Sequence, residues 1–189
     1  MPYEETDHIG DRFTPVGNNP RGDLTHFDTL GKFVMRYDAE ENPTLQQLIP
    51  YVVILDRSGQ SYFISKRIAG DHRLKGKLSL GFGGHISPED TGQGSVILSA
   101  MEREMKEEVE LVSADVPAFI GHVRDLKNST SDHLGFVFTV RADSVRIREE
   151  KVLEGHWMSL ENLIDHYYSF ENWGRYIIDY FYERDKRHE

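Results

Sequence analysis

A continuous apolar run, Tyr51–Leu55, limits what this chain can fold into more than any other feature. A strand with apolar side chains on both of its faces is typical of the buried interior of a layered sheet. Pro50 precedes the run and the turn-like segment 56–59 follows it, so we predict a buried strand that enters a hairpin. Tyr62–Arg67 is its predicted partner strand.

Strands and helices alternate along the rest of the chain. We predict strands at Leu78–Phe82, Ala118–Val123 and Gly135–Val140, a main helix at Val96–Val112, and a helical region at Leu160–Arg184. The main helix has a predicted buried stripe of Leu98, Met101, Met105, Val109 and Val112. This order of elements predicts an α+β or layered α/β/α domain.

The first 48 residues are the least regular part of the sequence. Frequent Gly, Pro, Asn and Asp residues over 10–23 indicate a loop or an arm, and Leu30–Tyr37 is predicted as a strand. We therefore treat residues 1–48 as an N-terminal extension and residues 49–189 as the main domain. Two interpretations stay open: an extension packed on the main domain or on a second subunit, and a leader with one short strand.

Composition and charge exclude several classes of function. The net charge of -10 argues against a general nucleic-acid binder, which needs surfaces rich in Lys and Arg. The absence of cysteine excludes disulfides and thiolate metal sites. No apolar run is long enough to span a bilayer, and residues 1–10 lack the apolar core of a signal peptide. We therefore expect a cytoplasmic protein without a membrane partner.

Three carboxylates crowd one side of the predicted main helix. Glu104 is three residues from Glu107 and four from Glu108, so their side chains are neighbours. Like charges at this spacing destabilise a helix by roughly 0.2–0.5 kcal/mol per pair, which favours a positive partner. Mg²⁺ prefers oxygen ligands, and it can orient a diphosphate and acidify a water molecule. On the helix alone, a solvated face neutralised by Lys106 is the alternative.

The glycine pair Gly83-Gly84 and this helix together resemble the Nudix box. The segment Arg103-Glu104-Met105-Lys106-Glu107-Glu108-Val109-Glu110-Leu111 matches the second half of that signature, Arg-Glu-hydrophobic-any-Glu-Glu-any-Gly-hydrophobic, at every defined position except Glu110. Gly83–Ile86 and Trp157–Leu163 also resemble family segments, and the resemblance covers roughly residues 49–184, with the box at about 84–111. It implies the Nudix α/β/α sandwich with a mixed β-sheet and a MutT-like phosphohydrolase.

Departures from the family pattern lie at both ends of the helix. At Glu110 the family has a glycine that helps to end the helix, so we predict that the helix here runs one further turn. The interval from Gly84 to Arg103 is 103 − 84 = 19 positions, longer than the usual spacing, which predicts an enlarged loop at Pro88–Gly94. Ser95 stands where the family has a glutamate that pairs with the box arginine. The expected replacements are Glu89 and Asp90.

The resemblance implies roles for particular residues. The expected ligands for Mg²⁺ (or Mn²⁺) are Glu104, Glu107, Glu108 and the backbone carbonyl of Gly84. The expected catalytic residues are Glu104, Glu107, Glu108 and Arg103, with Arg103 holding the loop and the glutamates in place. The expected substrate contacts are Arg67, Gly83, Gly84 and His85. Candidates for a general base are Glu149, Glu150, Glu154, Asp132 and His133, each of which has an ordinary surface role as its alternative.

The implied reaction is metal-dependent hydrolysis of a diphosphate linkage, with water attacking phosphorus. The expected partner is a phosphorylated small molecule, a nucleotide derivative. The sequence leaves open which derivative it is and whether the protein forms a homodimer. A non-catalytic Nudix-fold sensor that binds a nucleotide is the main alternative, although such proteins usually lose box carboxylates. Prenyl diphosphate isomerisation, which also uses this fold, needs a cysteine in its usual form, and this chain has none.

Overall fold

The computed structural model describes residues 1–69, 76–92, 94–127 and 133–187. Its strands are β1 Arg12–Pro15, β2 Gln47–Leu55, β3 Ser61–Arg67, β4 Leu78–Ser79, β5 Val109–Val112, β6 Ala118–Arg124, β7 His133–Arg141, β8 Ser144–Ile147 and β9 Leu153–Ser159. Its α-helices are α1 Pro20–Leu30, α2 Arg36–Glu41, α3 Val96–Glu108, α4 Leu160–Asp165 and α5 Asn172–Asp185. Short 3-10 helices cover Tyr3–Thr6, Pro88–Asp90 and Tyr167–Ser169.

The main sheet is mixed, which confirms the predicted fold class. Its strands run in the order β1-β6-β7-β2-β3-β4, and β9 pairs with β3 on the same sheet. β2 pairs in parallel with β7 and antiparallel with β3, so the predicted hairpin between β2 and β3 is confirmed. A second, two-stranded sheet joins β5 to β8. Among the described helices, none combines the length and the apolar character needed to cross a membrane.

The apolar run in β2 feeds a separate hydrophobic core on each face of the sheet. Val52 and Ile54 belong to the core that includes Met101 and Met105 of α3. The alternate residues, Tyr51, Val53 and Leu55, pack in the core that includes four residues of α5, Trp173, Ile177, Ile178 and Phe181. Since successive side chains of a strand point to opposite faces, the run is buried between two helical layers, as predicted.

The N-terminal part of the chain differs from the sequence prediction. The prediction of a loop over residues 10–23 is wrong, since β1 lies within this range and α1 begins at Pro20. Asn19 is the N-cap of α1, and its side chain accepts a hydrogen bond from the Gly22 N–H. The strand predicted at Leu30–Tyr37 is also wrong, because α1 ends there and α2 begins at Arg36. β1 pairs with β6 and so extends the main sheet, while the division of the chain at residue 48 stays a prediction.

The main helix ends earlier than predicted. Val109 is extended, with φ -137° and ψ 158°, and it opens β5, so the predicted further turn of helix is wrong. β5 pairs with β8, which places Glu110 opposite Arg146, with which it forms an ion pair. Of the predicted stripe, Met101, Met105 and Val109 are buried, whereas Leu98 and Val112 are exposed. Val112 is exposed because it lies in a strand, where the helical period no longer applies.

Other boundaries also differ from the predictions. The continuous strand predicted at Leu78–Phe82 is only two residues long, and Phe82 instead forms an isolated bridge with Val52 of β2. The C-terminal helical region is divided into α4, a 3-10 turn and α5. The strands β5 and β8 had no counterpart in the sequence prediction.

A buried histidine in β6 makes the stability of this fold depend on pH. His122 packs against the rings of Phe27, Phe119 and Phe136, and burial lowers its pKa to about 4, with the charge of His8 acting in the same direction. The carboxylate of Asp23 lies 3.8 Å from its Nε2, and burial raises the pKa of Asp23 itself.

We expect this histidine to lower stability in acid. A folded-state pKa below the unfolded value of roughly 6.5 means that its contribution is present above that value and is lost as the pH falls towards 4. Between pH 7 and pH 5 the loss is about 2 kcal/mol. Denaturant titrations at both pH values measure it in the native protein, in His122→Gln and in the control His156→Gln, whose histidine is exposed. An unchanged pH dependence in His122→Gln contradicts this assignment.

Candidate active site

The glycine pair after β4 passes unusually close to β2. Gly83 has a φ of 151°, and a Cβ atom on it would lie 1.9 Å from the carbonyl oxygen of Pro50. A side chain at this position is therefore excluded both by conformation and by space. The Gly83 N–H donates a hydrogen bond of 3.1 Å to Oε2 of Glu108, which ties the end of α3 to the glycine pair.

Gly84 lies against a second carboxylate of the same helix. A Cβ atom on Gly84 would lie 2.5 Å from Oε2 of Glu104, so only a glycine allows this approach. The structure thus brings Glu104 and Glu108 together at the glycine pair. Glu107 is more exposed, and its Oε1 lies 3.4 Å from Nη1 of Arg103. Two of the three predicted carboxylates therefore face the glycine pair, and the third lies at the rim.

The two inner carboxylates lie in an environment that disfavours their negative charges. Burial and then the charge of Glu104 raise the pKa of Glu108 to about 7, although the Gly83 N–H opposes the shift. Burial also raises the pKa of Glu104, against the opposing effect of Arg103. Oxygen donors that repel each other in this way suit a hard divalent cation. In the described ranges, no three His, Asp or Glu side chains are already grouped as a metal cluster.

Arg103 is held in place by the loop that precedes α3. Its Nε and Nη2 donate to the two carboxylate oxygens of Asp90 at 2.8 Å and 3.0 Å, and Nη2 also donates to the His85 carbonyl at 2.9 Å. Its Nη1 lies 2.7 Å from Oε1 of Glu104. Arg103 therefore connects the loop, the residue after the glycine pair and an inner carboxylate. This contact set fits the positioning role expected for it.

Of the two expected partners for Arg103, the structure selects Asp90. The Asp90 side chain is 2% exposed, whereas that of Glu89 is 71% exposed and lies 3.7 Å away. Burial raises the pKa of Asp90, but hydrogen bonds from Arg103 and the Ser87 N–H outweigh it and keep that pKa below its usual value. Ser95 has another role, since its hydroxyl accepts a hydrogen bond from the Leu98 N–H and caps α3.

The remaining predicted site residues divide into near and distant groups. The charges of Arg67 and Glu149 both act on the pKa of Glu108, so both residues lie close to the site. The backbone explains this for Glu149, because the Arg148 N–H donates to the Glu108 carbonyl at 2.8 Å. Glu154 instead pairs across β3 and β9 and lies 4.0 Å from His156.

Further base candidates include one histidine that the structure brings next to the glycine pair. His133, at the start of β7, has its Nε2 3.2 Å from Nε2 of His85. These two histidines are 48 residues apart in the sequence, and only the pairing of strands in the sheet brings them together. The charge of Glu150 acts on Arg146 of β8. Asp132 lies outside the described residues.

A buried tyrosine supports the segment that leads from β4 to the glycine pair. The Tyr51 hydroxyl donates to Oε1 of Glu171 at 2.6 Å and accepts a hydrogen bond from the Gly81 N–H at 2.8 Å. Glu171 is also the N-cap of α5, where it accepts a hydrogen bond from the Gly174 N–H. This hydroxyl therefore connects β2, the segment that precedes the glycine pair, and α5.

We expect Tyr51→Phe to lower the free energy of unfolding by about 1–3 kcal/mol, because it removes a donor to the buried carboxyl of Glu171 and the acceptor of the buried Gly81 N–H. Tyr37→Phe removes the hydroxyl of an exposed tyrosine and is the matched control. Denaturant titrations of both variants measure the difference. Equal stabilities of the two variants would show that the hydroxyl of Tyr51 is unimportant.

Comparisons with known proteins identify chains of similar sequence and similar fold. No model of a protein family matches the chain. The protein YmaB of Bacillus subtilis (strain 168) is 33% identical over 168 residues, which are 82% of this chain and 81% of YmaB. The crystal structure of Tm1382, provisionally assigned as a Nudix hydrolase, superposes with a TM-score of 0.81 at 29% identity, over 96% of this chain and 95% of Tm1382.

A third similarity supports the fold alone. A bifunctional NMN adenylyltransferase/ADP ribose pyrophosphatase from Francisella tularensis, complexed with AMP and a Mn ion, has a TM-score of 0.55 at 14% identity. The match covers 88% of this chain and 47% of that enzyme.

Together with these comparisons, the mixed sheet between helical layers, with paired glycines facing a glutamate-rich helix, identifies a phosphohydrolase of the α/β/α sandwich class. The chain belongs to the Nudix hydrolase family. The family predicted from the Arg103–Leu111 segment is thereby confirmed. The roles of the individual site residues stay predictions.

Proposed function

We propose that this protein hydrolyses a diphosphate linkage in a nucleoside diphosphate derivative with the help of Mg²⁺ or Mn²⁺. Membership of the Nudix hydrolase family supports hydrolysis of such derivatives in general. The Francisella tularensis enzyme, whose structure contains AMP and a Mn ion, supports the choice of metal and of a nucleotide. The metal, the residues and the bond that is cleaved are parts of the proposal.

The observation that carries the proposal is the convergence of Glu104 and Glu108 on the Gly83-Gly84 backbone. Two repelling carboxylates beside a backbone without side chains form a set of oxygen donors that suits a divalent cation. Glu104, Glu107, Glu108 and the Gly84 carbonyl would hold the ion. When bound, the ion neutralises the diphosphate and acidifies the attacking water.

The residues of this chain also position the reactants. Arg103, fixed by Asp90, keeps Glu104 in place and orients the His85 carbonyl. Arg67 is close enough to influence Glu108 and supplies positive charge for the phosphates. In the reaction a bond forms between the water oxygen and phosphorus, the bridging P–O bond breaks, and the water proton passes to a base. Among the described candidates for that base, we favour Glu149, which lies near Glu108, and His133, which contacts His85.

The test is hydrolysis of a panel of nucleoside diphosphate derivatives, namely nucleotide sugars, dinucleotides and nucleoside triphosphates. Each is assayed with Mg²⁺, with Mn²⁺ and with excess chelator, and the products are separated and identified. We expect turnover of one class that chelator abolishes and added Mg²⁺ restores. Reaction in ¹⁸O-labelled water should place the label in a phosphate product. Label in any other product would exclude attack of water on phosphorus.

The same panel separates hydrolysis from a sensor function. A sensor would bind a nucleotide saturably and leave it intact under every metal condition. That result would overturn the proposed hydrolysis.

A further inference from the structure

A cavity of about 180 Å³ lies between the N-terminal part of the chain and the loop after the glycine pair. We propose that this cavity binds the heteroaromatic base of a nucleotide whose phosphates occupy the glutamate site. This inference rests on the proposed function, and it assigns to the cavity the recognition of the base of the substrate. Residues outside the box, in the first 48, supply one wall of the cavity.

The cavity adjoins the loop that follows the glycine pair. His85 and Ile86 line it, and they directly follow the glycine pair. The His85 carbonyl accepts a hydrogen bond of 2.9 Å from Arg103, which also contacts Glu104. A ligand in this cavity therefore lies beside the loop that holds the carboxylates. A group attached to a diphosphate at those carboxylates is the natural occupant.

The walls of the cavity suit a flat apolar surface. The apolar residues that line it include Phe27, Phe33, Val34, Leu48, Ile86 and Ile97. Phe33 is 48% exposed, so a large part of its ring is available to a ligand. Aromatic side chains stack on nucleobases with a gain that amounts to tenfold or more in affinity. The lining also contains polar side chains, including those of Asp28, Lys32, Arg36, Gln46 and Gln47.

The edge of the cavity offers polar groups that a hydrocarbon chain would not use. The segment between α1 and α2 is extended, with ψ angles of 140° at Gly31 and 138° at Met35. Within it, the N–H and C=O groups of Lys32, Phe33 and Val34 form no hydrogen bond with the backbone of any described residue. Backbone groups beside an apolar pocket are typical determinants of ligand orientation. The edge of a nucleobase carries the donors and acceptors that would pair with them.

The N-terminal wall is fixed to the box helix, so the cavity is preformed. Oδ1 of Asp28 in α1 accepts a hydrogen bond of 3.1 Å from the Ile97 N–H in the first turn of α3. The Gly31 N–H closes the end of α1 on the Phe27 carbonyl at 2.9 Å. A water molecule needs about 10–15 Å³ on this scale, so the cavity accepts on the order of ten non-hydrogen atoms. That is the size of a purine or pyrimidine ring system with part of its ribose.

The experiment compares ligands with and without a base in the presence of Mg²⁺. The probes are the α,β-methylene diphosphates of adenosine, guanosine, cytidine and uridine, together with methylenediphosphonate, which resist hydrolysis. Calorimetric titration measures each affinity for the full chain and for three variants. Phe33→Ala removes the ring, and Phe33→Tyr keeps it. Met35→Ala shortens a neighbouring side chain that is 74% exposed and lies outside the cavity lining.

We expect at least one nucleoside probe to bind tenfold or more tightly than methylenediphosphonate. Phe33→Ala should remove most of that gain, whereas Phe33→Tyr and Met35→Ala stay within twofold of the native protein. Binding of methylenediphosphonate should be equal in all four proteins. The inference is overturned if no nucleoside probe gains affinity, or if Phe33→Ala behaves like Met35→Ala. If either result is found while methylenediphosphonate still binds equally to all four proteins, the proposed function is unaffected. If methylenediphosphonate does not bind and no hydrolysis is detected, the proposed function is contradicted as well.

Discussion

Replacing Glu108 by Gln is expected to lower kcat/KM for the diphosphate substrate by roughly 100- to 1,000-fold. The substitution keeps the size of the side chain but removes a negative charge from the proposed metal site. A bound divalent ion contributes several kcal/mol to the stabilisation of transition-state charge, and each 1.4 kcal/mol corresponds to tenfold in rate. Steady-state kinetics over a range of Mg²⁺ concentrations measures the effect and shows whether excess metal restores part of the rate.

Glu102→Gln is the matched control for this substitution. Glu102 lies on the same helix, is exposed, and pairs with Lys106 at 3.5 Å, away from the glycine pair. Its removal is expected to change kcat/KM by less than about twofold, since exposed ion pairs contribute little. Comparable losses in the two variants would mean that the charge of the helix as a whole matters, and would count against Glu108 as a metal ligand. Unfolding curves of both variants confirm that the fold is intact.

Replacing Asp90 by Ala is expected to lower the free energy of unfolding by about 3–5 kcal/mol. The substitution leaves the guanidinium of Arg103, itself only 21% exposed, without the carboxylate that binds two of its nitrogens. A partly buried charge that loses its main partner is strongly destabilising, because the Glu104 carboxylate and the His85 carbonyl that remain compensate only part of its desolvation. Denaturant titration gives the magnitude, and the loop should unfold more readily in hydrogen exchange.

Glu89→Ala changes the adjacent carboxylate, which is exposed and lies 3.7 Å from Arg103. We expect a change of less than about 0.5 kcal/mol, as for other exposed pairs. If Glu89→Ala were as destabilising as Asp90→Ala, the two acids would share the role, and the burial of Asp90 would not decide it. Asp90→Asn adds a second comparison, since it keeps one acceptor oxygen and removes only the charge.

The sequence predicted those elements whose signal lies within a few consecutive residues. The run Tyr51–Leu55 predicted a strand covered on both faces, and β2 contributes to a core on each face of the sheet. The pattern Arg103–Leu111 predicted the family, which the comparisons confirm. Both signals are local, because hydrophobic periodicity and helix-face spacing depend only on neighbouring positions. The metal ligands implied by that pattern stay predictions until the kinetic test.

The tertiary structure decided the features that depend on residues distant in the chain. The end of α3 at Glu108 depends on β8, which pairs with β5. This pairing makes Val109–Val112 a strand, although the sequence pattern had predicted a helix there. Glu89 and Asp90 are equivalent in the sequence, and only the fold buries one of them against Arg103. The cavity walled by Phe33 and Ile86 likewise joins segments that are more than 50 residues apart. Burial and pairing across such distances arise from packing, so local patterns in the sequence carry no signal for them.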